Sequence, residues 1–293
     1  MANSYKVFSD VTCDITKEMI AELSEVTFVP MNITVGDEGY VYSYSDDGTI
    51  TIEEFYQKLR SGLFASTSQI NPEVYEGFFE PELQKGNDIV YIGLTSGLSQ
   101  TLNASRVAAR NLLEQYPDRR IEIVDPFDAS LGQGFLLYEA IKEMRTGLSM
   151  DEFLGWIEEH KYHVCHWFTV DTFEHLKRGG RVSGATAAMG TALQVKPLLT
   201  LDDDGKLQTI AKPRGRKQAT AALIEDVKKS IRPDLGTFIF IGHADNLAAA
   251  EEIRNELKEL YPNSTIGITD IGPVIGAHVG PGMTTVVHWG DRH

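Results

Sequence analysis

The sequence predicts a two-domain α/β protein, with a parallel sheet and crossover helices in the N-terminal domain and an α/β domain with a mixed sheet after it. Short apolar runs alternate with amphipathic segments through the first 146 residues, as expected for strands joined by helices. Further along, two apolar runs flank the acidic turn 202–205, which indicates an antiparallel hairpin. We place the domains at residues 1–165 and 166–293.

The N-terminal domain is predicted to contain four strands, at residues 5–9, 27–35, 89–94 and 121–124. Helical patterns cover residues 15–23, 53–59 and 72–83, and another runs from the turn after residue 97 to about residue 116. Ligands of open α/β sheets bind beyond the carboxyl ends of the strands. The loops that begin at Asp10, Thr95 and Asp125 are therefore expected to form a site, together with the polar stretch 65–69.

The C-terminal domain follows a helix predicted over residues 149–160 and begins around a strand at 163–170. We predict a small-residue helix at 184–193 and helices at 218–231 and 247–260. The remaining strands are expected at residues 196–201, 206–211, 237–242, 264–269 and 284–289. Residues 270–282 contain four glycines and two prolines, which predicts a fixed but irregular backbone around His278.

Composition excludes several functional classes. The chain has 293 residues and a net charge of −15, with a pI of about 4.9, so it lacks the basic footprint of a nucleic-acid-binding protein. It shows neither a signal peptide nor an apolar run of the roughly 20 residues that span a bilayer. We expect a cytoplasmic protein without stable membrane insertion. Its two cysteines, at positions 13 and 165, predict reduced thiols rather than a disulfide framework.

The segment 95–101 is a hydroxyl-rich turn between a strand and a helix. Free amide groups and the helix dipole at such a turn favour an anion, to which Thr95 and Ser96 could donate; ordinary helix capping explains the same pattern. A hydrolase that uses Ser96 as nucleophile and His278 as base is a weaker alternative, because the Gly-x-Ser-x-Gly spacing is absent.

Two other segments give weaker signals. Ser130 and its neighbouring glycines follow a predicted strand, where they allow tight packing or line a pocket, and they lack the spacing of a dinucleotide site. Four possible metal ligands lie close together, at His160, His163, Cys165 and His166, but alternation along a strand puts His163 and Cys165 on one face and His166 on the other. We therefore predict neither a metal site nor a cofactor.

Basic residues cluster in one part of this acidic chain. Residues 177–217 carry nine basic and three acidic side chains, a net charge of +6. Either basic island within it, 177–181 or 212–217, could be an ordinary solvated surface. Arginine is also suited to bidentate contacts with phosphate or carboxylate groups.

Taken together, these stretches resemble the DegV family of bacterial fatty-acid-binding proteins. The resemblance spans nearly the whole chain, and it rests on the joint order of the motifs more than on any one of them. The motifs lie at residues 8–14, 67–69 (Thr-Ser-Gln), 95–101 (Thr-Ser-Gly-Leu-Ser-Gln-Thr), 125–134, 176–183, 196–199, 212–217 and 271–282.

The resemblance implies a lipid carrier that is not itself an enzyme. Such a protein binds a long-chain fatty acid, presents the carboxylate to a separate ATP-dependent fatty acid kinase, and carries the acyl phosphate product. A lipid-sensing regulatory module is an alternative. The implied residues are Thr67, Thr95, Ser96 and His278 for the carboxylate, Arg181 and Arg214 for the head group or kinase, and Ser130 and Gly276 as pocket candidates.

Overall fold

A computed structural model describes residues 4–45, 48–183 and 194–292. Within them, strands β1 to β13 are Tyr5–Asp10, Val26–Val29, Met31–Val35, Glu38–Tyr42, Ala65–Thr67, Asp88–Ile92, Ile121–Val124, Val164–Thr169, Leu198–Leu201, Leu207–Ala211, Phe238–His243, Thr265–Asp270 and Thr284–Trp289. Helices α1 to α10 are Lys17–Glu22, Ile52–Arg60, Pro72–Gln84, Thr101–Gln115, Leu131–Met144, Met150–His160, Glu174–Arg178, Arg216–Ser230, Leu247–Leu260 and Pro273–Val279. The helix predicted at 184–193 lies outside the described residues.

The N-terminal part contains the predicted parallel sheet. Its strand order is β2-β1-β6-β7, and each neighbouring pair runs parallel. All five residues of β6 are buried, because helices cover both faces of the sheet. The carboxyl ends of β1, β6 and β7 meet at one edge, where Asp10 ends β1 and the loops after β6 and β7 carry Thr95 and Asp125.

The C-terminal part contains the predicted mixed sheet, in the order β10-β9-β8-β13-β11-β12. Only the pair β11 and β12 is parallel among the described strands of this sheet. β9 and β10 form the hairpin predicted around the acidic turn. The predicted α/β fold class, with a parallel and a separate mixed sheet, is therefore confirmed, whereas the domain boundary at residue 165 stays a prediction.

The strand predicted over residues 27–35 is wrong as a single element. β2 pairs with β1 in the parallel sheet, whereas β3 pairs with β4 and β5 in a separate antiparallel sheet. Pro30 lies between β2 and β3, and because proline has no N–H to donate it interrupts the ladder there. The three-stranded sheet, in the order β4-β3-β5, was not expected from the sequence.

The glycine-rich segment 270–282 is more regular than expected, because it contains the helix α10. Pro273 occupies the first turn, where its missing N–H costs nothing, and Gly280 ends the helix with a φ of +70°. His278 is thereby fixed on a helix rather than on an irregular loop. Across the described ranges, no helix has both the length and the apolar content needed to cross a membrane.

Candidate functional site

The loops at the carboxyl edge of the parallel sheet are tied together by carboxylates. Asp10, at the end of β1, accepts hydrogen bonds from the Tyr91 hydroxyl at 2.5 Å and from the amide of Leu94 at 3.2 Å. Asp125, after β7, accepts from the amide of Ser96 at 3.1 Å. These bonds fix the loop after β6 between its two neighbours, so this edge presents a preorganised surface.

A cavity of about 250 Å³ lies beside this edge, between the loops of the parallel sheet, β8 to β10 of the mixed sheet, and α10. Most of its lining is apolar, and both predicted domains contribute to it. Gln69 and Gln100 are exposed and also line the cavity, so they mark its opening to solvent. The lining residues are Met31, Thr67, Gln69, Leu94, Leu98, Ser99, Gln100, Ala129, Ser130, His166, Phe168, Leu176, Arg181, Leu201, Leu207, Val274, Ile275, His278, Val279 and Met283.

Thr67 and His278 form the central polar contact of the cavity. The Thr67 Oγ1 atom lies 2.9 Å from His278 Nε2, although 211 positions separate the two residues in the chain. Thr67 ends β5 and His278 lies in the last turn of α10. The unpredicted antiparallel sheet therefore places Thr67 against the histidine helix.

The His278 ring is held neutral by its surroundings. Burial, then the charge of Arg181, and then His175 lower the pKa of His278 to about 4. A Cβ atom on Gly179 would lie 2.2 Å from His278 Nδ1, so only glycine permits this backbone approach. The Nδ1 atom has no hydrogen-bond partner among the described residues. Among the described residues, the ring therefore makes its hydrogen bond with Nε2.

Arg181 brings a positive charge to the same cavity. Its side chain is half-buried, its Nε donates to the Leu98 carbonyl at 3.1 Å, and it also donates to the carbonyl of Gly179. Burial lowers the pKa of Arg181 from its ordinary value, but an arginine keeps its charge at neutral pH. An anionic group near Thr67 would experience this charge in a partly desolvated setting, where it is weakly screened.

Ser130 is one of the residues that line the cavity. Its backbone has a φ of +54°, which a non-glycine residue adopts only under local constraint. The constraint is a hydrogen bond from its hydroxyl to Asp14 at 2.6 Å, and Asp14 also accepts from the amide of Gly272 at 2.8 Å. Burial raises the pKa of Asp14 well above its usual value. Ser130 thus connects the cavity wall to the base of α10.

Thr95 and Ser96 do not line the cavity. The Ser96 hydroxyl donates to Asp125 at 2.5 Å, and Thr95 is fully buried with its Oγ1 accepting from the amide of Gly97 at 3.2 Å. Thr95 also lies against Gly205 of the β9–β10 hairpin, where a Cβ atom would approach its hydroxyl to 2.1 Å. A carboxylate could reach Ser96 only by displacing Asp125, so the motif-based role stays a prediction.

The nucleophile and base of the alternative hydrolase mechanism are not paired. In the described part of the chain, Ser96 Oγ bonds to Asp125 and His278 Nε2 bonds to Thr67. A serine nucleophile needs its base within hydrogen-bond reach. The observed contacts give no support to that mechanism.

Gly276 and Arg214 also lie away from the cavity lining. A Cβ atom on Gly276 would lie 2.6 Å from the Tyr56 hydroxyl, so this glycine permits close packing of α10 on α2. Arg214 is exposed, and its side chain has no acidic partner among the described residues. Its role in the head-group or kinase contact stays a prediction.

Sequence reasoning missed several polar residues of the cavity. Ser99 and Gln100 belong to the 95–101 motif, and Gln69 belongs to the 67–69 motif. Other residues of these motifs were selected from the sequence, namely Thr67, Thr95 and Ser96. His166 was weighed only as a metal ligand. It lines the cavity, whereas Cys165 packs in a core cluster on the other face of β8, as strand alternation predicts. No His, Cys, Asp or Glu cluster within the described ranges is arranged to hold a metal ion.

Comparisons with known proteins agree with this architecture. The sequence model of the DegV family, described as "Uncharacterised protein, DegV family", matches residues 4–289. A DegV domain-containing protein of Clostridium perfringens is 39% identical over 287 residues, which cover 98% of each chain. A fatty-acid-binding DegV family protein of Thermus thermophilus is 27% identical with a TM-score of 0.85, covering 99% of this chain and 100% of the other. A stearic acid-binding protein of Eubacterium ventriosum is 26% identical with a TM-score of 0.85, covering 97% and 98%.

Proposed function

This chain belongs to the DegV family, and from that premise we propose that it binds a long-chain fatty acid in the cavity and presents the carboxylate to a separate ATP-dependent fatty acid kinase. The observation that carries the proposal is one cavity with a mostly apolar lining and a neutral Thr67–His278 pair in its wall. Fatty-acid binding by the structural relatives supports the same ligand class.

The acyl chain would supply most of the affinity. Each CH₂ group removed from water contributes roughly 0.8 kcal/mol, so the apolar lining can hold a long chain without ionic contacts along it. The carboxylate needs hydrogen-bond donors, because burying an unpaired charge is costly. Polar groups are therefore required only where the head group lies.

The Thr67–His278 pair can provide such a donor without a permanent charge. In our proposal His278 carries its proton on Nε2 and donates to Thr67 Oγ1, which leaves the Thr67 hydroxyl proton for the carboxylate. The reverse arrangement would place the ring proton on Nδ1, which has no acceptor among the described residues. Charge-assisted bonds of this kind are about twice as strong as neutral ones. Arg181 adds a favourable charge nearby.

Presentation to a kinase requires a reachable head group. The exposed residues Gln69 and Gln100 lie at the opening, and Thr67, in the same short motif as Gln69, also lines the cavity. The basic segment 177–217, with a net charge of +6, contains Arg181 at the cavity and exposed Arg214. We propose that this segment offsets the added charge of the acyl phosphate and guides kinase docking.

Lipid extraction tests the binding part of the proposal. The purified chain is denatured, its lipid is identified by mass spectrometry, and the delipidated protein is titrated with oleate and palmitate. We expect a co-purifying long-chain fatty acid and saturable binding. A protein that releases no fatty acid and binds neither probe would contradict the proposal.

A kinase assay tests the presentation part. With oleate-loaded protein, ATP and a purified fatty acid kinase, acyl phosphate should form only when all components are present. Arg214→Ala should retain oleate and slow phosphorylation, because only the docking surface is changed. The matched control is Arg254→Ala, on α9 outside the basic segment, where the arginine side chain is 41% exposed. Acyl phosphate formation without kinase, or equal rates for both variants, would argue against this division of roles.

A further inference from the structure

The cavity has a second polar feature that the carboxylate contact does not use. His166 lies on β8, is only 4% exposed, and lines the cavity next to Phe168, which shares its face of the strand. Its Nδ1 lies 2.7 Å from Asp128 Oδ1. Its Nε2 is buried and has no hydrogen-bond partner within the described part of the chain. The residue lines the cavity, and Nε2 is the ring nitrogen that no described group engages.

The contacts of His166 determine what Nε2 can do. A carboxylate only accepts, so Nδ1 carries the proton that Asp128 binds. The other oxygen of Asp128 lies 3.2 Å from the Arg292 guanidinium, which already compensates the carboxylate charge. In the neutral form of the ring with its proton on Nδ1, Nε2 presents a lone pair that accepts one hydrogen bond.

We infer that the ligand of this cavity is a fatty acid with a hydroxyl group on its acyl chain, and that this hydroxyl donates to His166 Nε2. The inference rests on the proposed function, because it concerns the chain of the same bound fatty acid. A methylene or a double bond has no donor, and a ketone only accepts. An ammonium group would bring an unpaired charge into an apolar cavity, which is far more costly than a hydroxyl.

The energetic reason lies in the unpaired nitrogen. A plain acyl chain packed against Nε2 excludes water and leaves a buried acceptor without a partner. A hydroxyl at the right position along the chain restores that bond and is itself satisfied on entering the cavity. Sites built to bond a substrate hydroxyl discriminate strongly against analogues without it. His166 thus becomes a specificity-determining residue, positioned by Asp128.

The test compares delipidated wild-type protein with His166→Asn and His166→Leu. The probes are stearic acid and a series of hydroxystearic acids that differ only in the position of the hydroxyl. Asparagine retains an N–H donor for Asp128 but has no atom at the Nε2 position, whereas leucine also removes the donor to Asp128. Phe168→Leu is the matched control, since it alters the same face of β8 without changing a polar group.

We expect at least one hydroxystearate whose affinity relative to stearate falls by about tenfold in both His166 variants. In Phe168→Leu the same ratio should stay within about twofold, even if both affinities change. If stearate binds but no isomer shows a ratio that depends on His166, the inference is overturned and the proposed function stands. If no fatty acid binds to the wild-type protein, the proposed function fails, and this inference fails with it.

Discussion

Replacing Thr67 by valine tests the Thr67–His278 pair directly. Valine has the same shape and the same preference for a strand as threonine, so the change removes only the hydroxyl from β5. That hydroxyl lies 2.9 Å from His278 Nε2 and is the hydrogen-bond partner that the structure records for this ring. Because His278 Nδ1 is already without a partner among the described residues, the variant leaves the whole buried imidazole unpaired.

The structure sets the size of both effects. A buried polar group without a partner costs about 1–3 kcal/mol, so the free energy of unfolding of the delipidated variant should fall by that amount. A charge-assisted bond between the Thr67 hydroxyl and a carboxylate contributes about 1.5–3 kcal/mol, so its loss should weaken oleate binding by roughly 10- to 150-fold.

Two measurements separate these effects. Urea unfolding of delipidated protein gives the stability change, and calorimetric titration with oleate gives the affinity change, each compared with wild type. The control is Thr34→Val on the adjacent strand β3. Thr34 is similarly half-buried, and its side chain makes no hydrogen bond recorded among the described residues. The control should change neither quantity by more than a few tenths of a kcal/mol.

The reasoning would be refuted by a Thr67→Val protein that binds oleate as tightly as the Thr34→Val control. Such a result would place the carboxylate elsewhere along the cavity. A loss of stability with unchanged affinity would show that Thr67 only supports the His278 ring. Because both outcomes differ from the expected joint loss, the pair of measurements is decisive.

Three further substitutions test other features. Burial lowers the pKa of His288 to about 4 from 6.5, so its stabilising contribution is complete above pH 6.5 and is lost as the pH falls towards 4. In urea unfolding, this residue should cost the wild-type protein about 2 kcal/mol of stability between about pH 7 and about pH 5. A His288→Asn protein should not show that part of the loss. Gly276→Ala should destabilise the fold by about 1–3 kcal/mol, measured in the same way, because the new Cβ meets the Tyr56 hydroxyl; unchanged stability would mean that α10 has room to move. Ser96→Ala removes a donor to Asp125 and should lower stability by about 1–2 kcal/mol. The same variant tests the motif-based role, because unchanged oleate affinity would exclude Ser96 from the carboxylate site and a tenfold loss would place it there.

Local patterns predicted most of the regular structure. The parallel strands read as short apolar runs because both faces of their sheet are covered, and the hairpin of β9 and β10 was visible from its acidic turn. The errors arose where local signals were ambiguous. Apolar and β-branched residues continue on both sides of Pro30, which hides the change of sheet, and the glycines of α10 hide a helix.

The candidate site was only partly predictable. Thr67, Ser130, Arg181 and His278 were singled out from the sequence, and the structure brings all four to one cavity. Ser96 was also chosen from its motif, but its hydroxyl bonds to Asp125, a contact that no local pattern indicates. A motif identifies which loop lies at a site, whereas the side chain that faces the ligand depends on neighbouring loops.

The sequence by itself determined the fold class, the order of the family motifs and the reversal of charge in residues 177–217, because these depend on local periodicity and composition. Tertiary structure alone decided that Thr67 meets His278 across 211 positions and that His166 faces the same cavity. Periodicity can assign a residue to a face of a strand or helix. It cannot say what that face packs against, since the contact arises from the mutual packing of three separate sheets.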